Sequence, residues 1–120
     1  MDILLIIIKI VIALGILNVW LLRFGKPSTW RGGNAGNMKE EFEVYGLPGW
    51  SVGLVGLVKM ICALLLIVGI WLPAVAAPAA LIIAVLMLGA VVMHIKVKDS
   101  LRKSLPAFTL LVLSLLVVFL

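Results

Sequence analysis

The chain reads as an all-α integral membrane protein, a four-helix bundle with a short amphipathic helix in its first loop. Three observations lead there. Of the 120 residues, 65% are apolar and only 12% charged, against roughly half and a quarter in a soluble domain. Mean hydropathy is +1.34, so too little polar surface exists to coat a water-soluble fold. The apolar residues gather into four runs near the length of about 20 that a spanning helix needs. The alternating polarity of barrel strands is absent.

The runs are residues 3–22, 50–72, 74–95 and 105–120, with cytoplasmic loops expected at 23–49 and 96–104 in a single membrane domain. The first run lacks the basic leader and small-residue cleavage site of a signal peptide, so it reads as an uncleaved span. Orientation follows from the basic residues. Arg23, Lys26, Arg31 and Lys39 lie in the first loop; Lys96, Lys98, Arg102 and Lys103 lie in the last. The connection around Pro73 carries none. The positive-inside rule puts both basic loops in the cytoplasm, with both termini outside. The net charge of +5 is thus a matter of topology and of attraction to anionic lipid headgroups. A nucleic-acid surface is not expected.

Each element has its own signals. Pro73 marks a tight hairpin between the second and third spans. Pro78 and Pro106 are placed in first turns, where proline is tolerated, with Ser104 a candidate N-cap. The long first loop, RFGKPSTWRGGNAGNMKEEFEVYGLPG, contains a helix signal. Asn37 is a candidate N-cap with Glu40 three residues on, and Glu40 and Glu41 complement the dipole. Met38 and Phe42 share a face, as do Phe42 and Tyr45. This segment is expected to lie along the interface under the bundle. Gly32, Gly33 and Gly36 allow a flexible or tight approach to it; no strand or GK[ST] accompanies them, so they are no phosphate loop.

Small residues let spanning helices approach. Gly49, Gly53, Gly56 and Ala63 in the second span, and Ala76, Ala80 and Ala84 in the third, are the expected seams. The Leu- and Val-rich fourth span faces lipid. Trp20, Trp50 and Trp71 fit an interfacial aromatic belt.

Polar residues inside the spans are the candidate ligand-binding set: Lys59, Cys62, Lys9, Asn18 and His94. A mid-membrane cation is expensive and marks function by default. Lys59 lies near the middle of its span and is the leading candidate, whereas Lys9 is expected to snorkel outward. No carboxylate lies in any span; the nearest acids are Glu40, Glu41 and Glu43. An acid partner from the loop, a neutral amine, an anionic or carbonyl ligand, and a shifted span all remain open for Lys59. Cys62, one turn away, reads as packing, and as the sole cysteine it forms no intrachain disulfide. His94 reads as an interfacial residue and Asn18 as a packing or capping one. One histidine makes no metal site, and no catalytic constellation is present, so no catalytic residue is assigned and the balance leans away from an enzyme.

In the segments EFEVYGLPGW (Glu41 to Trp50), LVGLVKMICALLLIVGIWLP (Leu54 to Pro73) and LMLGAVVMHIKVKDSLRKSLPA (Leu86 to Ala107), the chain resembles the DoxX-like family of small bacterial membrane proteins. The resemblance implies a four-helix membrane bundle. Relatives include subunits of a thiosulfate:quinone oxidoreductase, membrane partners of redox-stress enzymes and, distantly, assistants of receptor assembly. Relatives often carry a glutamate where this chain has Lys59, so no acid–base role is carried over.

Three functions are then weighed. The leading one is a non-catalytic membrane subunit or assembly partner, homo-oligomeric or bound to another membrane protein. It would use Trp30, Glu40, Glu41, Phe42 and Tyr45 of the first loop, and the resemblance implies a redox complex in a bacterial inner membrane as one setting. The second is an intramembrane site for a quinone or lipid-like molecule near Lys59. The third is an oligomeric transporter or channel, for which no inverted repeat is visible.

Overall fold

A computed structural model describes residues 3–22, 24–26 and 31–120. Helix α1 (Ile3–Leu17) runs into a π-helical turn at Asn18–Leu22. After the loop come α2 (Met38–Val44), α3 (Trp50–Val68) and α4 (Pro73–Lys96). A 3₁₀ turn at Leu101–Ser104 leads into α5 (Leu105–Phe119). No strand occurs among the described residues. Four stretches are long and apolar enough to cross a membrane, 3–22, 50–68, 73–96 and 101–119.

The long helices form a closed ring in chain order, α1 against α3, α3 against α4, α4 against α5 and α5 back against α1. Short connections dictate this antiparallel arrangement. Pro73 starts α4 at a position needing no donor, and Gly69 closes α3, its amide donating to the Leu65 carbonyl at 2.8 Å. Pro78 falls inside α4 and not in its first turn. Its ring removes a donor there, a place proline occupies in spanning helices when neighbours or local adjustments compensate. Pro106 does sit at the start of α5, but the expected Ser104 cap does not form. The Ser104 hydroxyl donates back to the Leu101 carbonyl at 2.8 Å, satisfying the 3₁₀ turn instead.

The core is built from Ile12, Ile16, Ala63, Leu66, Ala80 and Ile83. Around it the outward residues are also apolar: Leu54, Leu57, Ile61, Leu64 and Val68 of α3 are all exposed. These outward faces fit lipid chains, which are as apolar as leucine. Helix α5 buries Ser114 and Val117 alone among its residues and turns the rest partly or fully outward.

The seams differ from the expected ones at Gly49 and Gly53. Ala76, Ala80 and Ala84 are buried as expected. Gly49 and Gly53 instead face open space, and the close contact is at Gly56, where the Trp20 ring lies against the backbone. Trp20 is therefore a buried residue and not a belt residue. Trp50 and Trp71, at opposite ends of the bundle, are 71% and 73% exposed.

Lys9 does not snorkel out. It is 6% exposed, and its ammonium donates to the Gly69 carbonyl at 3.2 Å. The C-terminus of a helix carries partial negative charge and unpaired carbonyls. Gly69 is where α3 ends, so the cation finds its compensation inside the bundle.

Candidate functional site

Helix α2 forms as its residues require. Asn37 caps it, accepting the Glu40 amide at 2.8 Å, while the Glu40 carboxylate accepts the Gly36 amide at 3.2 Å. Its C-terminus closes at Gly46, φ +78°, with Leu47 donating to Phe42 and Gly46 to Glu43. This paired pattern around a left-handed residue is the Schellman motif. The Tyr45 carbonyl accepts from Lys96 at 2.9 Å. Met38, Phe42 and Tyr45 are all buried, so α2 closes the loop end of the bundle.

A second Schellman motif ends α4. Asp99 donates its amide to His94 and Lys98 to Ile95, with Lys98 itself in the left-handed region at φ +59°. This turn folds the Asp99 carboxylate back onto the His94 ring, where Oδ2 meets Nδ1 at 2.8 Å. The same carboxylate accepts the Gly33 amide at 3.0 Å and lies 3.6 Å from the Lys103 ammonium. Lys103 also donates to the Gly33 carbonyl at 2.6 Å. Burial alone would raise the Asp99 pKa. The hydrogen bonds from His94 and Gly33 and the charge of Lys103 outweigh it and hold the carboxyl below its usual range.

From His94 a line of contacts crosses to α2. Its Nε2 lies 3.4 Å from the Tyr45 hydroxyl, which donates to Glu41 at 3.2 Å. The other Glu41 oxygen lies 3.5 Å from Arg31, whose guanidinium also donates to the Lys26 and Phe24 carbonyls. Burial first, then the charge and hydrogen bond of Glu41, push the Tyr45 hydroxyl well above the ordinary tyrosine range, with Arg31 opposing. Gly32 lets this ring in, since a Cβ there would overlap the Tyr45 hydroxyl end.

Above this floor is a cavity of about 710 Å³, within the range of small-molecule sites. Its polar lining comprises Arg31, Glu41, Tyr45, Lys59, His94 and Lys103, with Asn18 at one side; Val85, Met87, Ala90, Met93 and Leu110 supply apolar wall. Asn18, Gly15 and Leu110 also line an adjoining groove between α1 and α5. The π-helical turn sets this edge, a local form common at functional sites.

Lys59 projects into the cavity with its ammonium 5.4 Å from the centroid of the Trp20 ring, a cation–π distance. Trp20 is held by Phe24 (5.8 Å) and edge-on by Phe42 (6.1 Å). Among the described residues no carboxylate or carbonyl is in hydrogen-bond reach of Lys59, and Glu41 is the carboxylate whose field it feels. The loop acid expected as one option for Lys59 is thus Glu41, facing it across the cavity.

The five candidate ligand residues part company here. Lys59, Asn18 and His94 line the cavity. Cys62, one turn from Lys59, is 2% exposed in the helix core and does not line the cavity. Lys9 is at the opposite end, on Gly69. Among the loop candidates, Phe42 and Tyr45 are 7% and 4% exposed, so their rings are floor of the cavity and offer no free docking face. Glu41 belongs to the cavity, and Glu40 is exposed and caps α2. Trp30, like Arg23, lies outside the described residues. Sequence reading passed over Arg31, Lys103 and Asp99 as site residues. The signal for Asp99 was its spacing, five residues past His94 at a helix end, where a C-terminal turn brings the two together. Among the described residues no cluster of His, Cys, Asp and Glu suits a metal ion.

The match that decides the family covers residues 7–119, nearly all of the four-helix ring and its floor. The chain belongs to the DoxX-like family. Together with four apolar spanning helices this makes it a multi-pass membrane protein of that family. No curated protein and no solved structure proved similar to it.

Proposed function

We propose that this DoxX-like protein binds a small amphipathic molecule, quinone-like or lipid-like, in the cavity beside Lys59. The observation that carries the reading is a mid-helix ammonium that reaches into a cavity and has no hydrogen-bond acceptor in reach among the described residues. A buried cation is retained where something compensates it. An acidic or carbonyl headgroup would do so, with its tail against Ala90, Val85 and Leu110. The groove between α1 and α5 supports entry from the lipid. In this reading the basic loop end, with α2 and the cavity floor, faces the cytoplasm of the plasma membrane and both termini face outward.

The test is native mass spectrometry of protein taken from membranes into mild detergent, wild type beside Lys59→Leu, with helical content checked by circular dichroism. A bound small molecule in the wild type, lost in the folded variant, is expected. Equal loading of both, or none in either, would overturn the reading.

A subunit role is compatible with this, and the exposed Gly49 and Gly53 favour it. They leave open space on the lipid face of α3, where a second helix can approach closely. Gly53→Leu is expected to weaken self-association or partner retention on a sizing column; an unchanged elution position would count against it.

A further inference from the structure

The floor of the cavity is a chain of four side chains whose hydrogen atoms can be counted. Asp99 stays ionised and accepts from His94 Nδ1. Tyr45 keeps its phenolic proton, since its hydroxyl is pushed above the ordinary range. That hydroxyl has one hydrogen and two neighbours, Glu41 Oε1 at 3.2 Å and His94 Nε2 at 3.4 Å. If the ring were neutral and the carboxylate ionised, both neighbours would be acceptors and the single tyrosine hydrogen could serve only one of them. Two arrangements satisfy both contacts from within the protein.

In the first, the ring carries both protons: Nε2–H donates to the Tyr45 oxygen and Tyr45 O–H donates to ionised Glu41. In the second, the Nε2 proton has passed to the Tyr45 oxygen and the former tyrosine proton to Glu41 Oε1. Glu41 O–H then donates to Tyr45, and Tyr45 O–H donates to Nε2. One proton moves from ring to carboxyl, none enters or leaves, and the four groups sum to one negative charge in both. His94 and Glu41 lose their opposite charges together.

The charged groups facing Glu41 decide between these arrangements. They are Arg31 from the loop, Lys59 from α3 across the cavity, His94 from α4 through Tyr45, and Lys103 from the 3₁₀ turn at the cavity wall. The Arg31 guanidinium pairs with the Glu41 carboxylate, and the Lys59 charge acts on it across the cavity. An anion seated against Lys59 offsets the second of these charges and tips the pair toward the second arrangement.

We propose that His94, Tyr45 and Glu41, anchored by Asp99, form a proton relay that shifts one proton from the ring to Glu41 when an anionic headgroup binds beside Lys59. The ligand class is an amphiphile with an ionised acid head. The inference rests on the cavity reading above. Its consequence is a proton held at the cavity surface, on Glu41, ready to be shared with the bound headgroup.

His94 is the sole histidine in the chain, so ¹⁵N-histidine labelling reports on it alone. The probe is decyl sulfonate, which stays anionic at all working pH, added to the full chain in zwitterionic nanodiscs. At probe saturation the Nε2 resonance is expected to move from a protonated to an unprotonated position while Nδ1 remains protonated. The response is expected to vanish in Tyr45→Phe, which keeps the ring and removes the relay oxygen, and in Glu41→Gln. Probe binding that depends on Lys59 but leaves the wild-type histidine resonances unchanged would overturn the relay and spare the cavity. Equal probe binding by wild type and Lys59→Leu, or no binding, would overturn both.

Discussion

Replacing Gly56 by alanine tests the packing beneath the cavity at a single carbon. A Cβ at this position would lie 2.6 Å from Trp20 Cζ3 and 2.7 Å from Cε3. Carbon pairs rest at about 3.5 Å or more, so the ring or the helix must retreat by roughly 1 Å. Any retreat of the ring disturbs its contacts with Phe24 and Phe42, which flank it, and with the Lys59 ammonium. Overpacking of this kind costs about 1–3 kcal/mol. Alanine recovers roughly 0.5–1 kcal/mol of helix propensity, leaving a net loss of up to about 2.5 kcal/mol. Gly53→Ala is the control. Nothing lies within 4 Å of the added carbon, so only the propensity gain of up to about 1 kcal/mol remains. Unfolding in detergent micelles, followed by tryptophan fluorescence, should therefore move in opposite directions for the two variants. Gly56→Ala as stable as wild type, or Gly53→Ala as damaging as Gly56→Ala, would refute the assignment of Gly56 as the close contact.

Tyr45 is the only tyrosine in the chain, so phenolate absorbance titrates it alone. Its midpoint should lie well above the free value of about 10, and a normal midpoint would contradict its burial against Glu41. Asp99 is held below its usual range. Its contribution is thus fully present above the unfolded value of about 4 and is lost as pH falls through the lower folded value. Melting temperature against pH should show that acid limb in the wild type and a flatter one in Asp99→Asn. Lys98→Gly relieves a left-handed non-glycine residue at φ +59° and should stabilise by up to about 1 kcal/mol, read by the same unfolding assay. Ser114 is fully buried with its hydroxyl unpaired among the described residues, so Ser114→Ala should be neutral or stabilising by up to about 1–3 kcal/mol; a clear loss of stability would reveal a partner for that hydroxyl.

The local features were the legible ones. Asn37, Glu40, Met38 and Phe42 announce α2 because a cap and a three- or four-residue spacing act within one turn. The apolar runs announce the spanning helices because length and hydropathy are properties of the segment itself. Direction of facing was another matter. Helices apolar on every side carry no stripe that separates lipid from core, so nothing in α3 told Gly53 from Gly56. Nor did α1 reveal that Trp20 turns inward along its π-helical end. Lys9 and Lys59 looked alike as cations in apolar runs. Only the hairpin that brings Gly69 beside Lys9 distinguished them.

Composition, run length and the placement of basic residues thus determined what kind of object this chain is: a bundle of spanning helices closed at one end by a short capped helix. Those quantities depend on neighbours in sequence and on the solvent the segment prefers. The cavity aside, the meeting of Tyr45 with His94 and of Gly33 with Asp99 joins residues 49 and 66 positions apart. They exist because the ring of helices sets α2 beneath α3 and because a left-handed turn at Lys98 reverses the chain. Those positions are settled by tertiary packing alone, where polar groups withdrawn from water must find one another or a ligand.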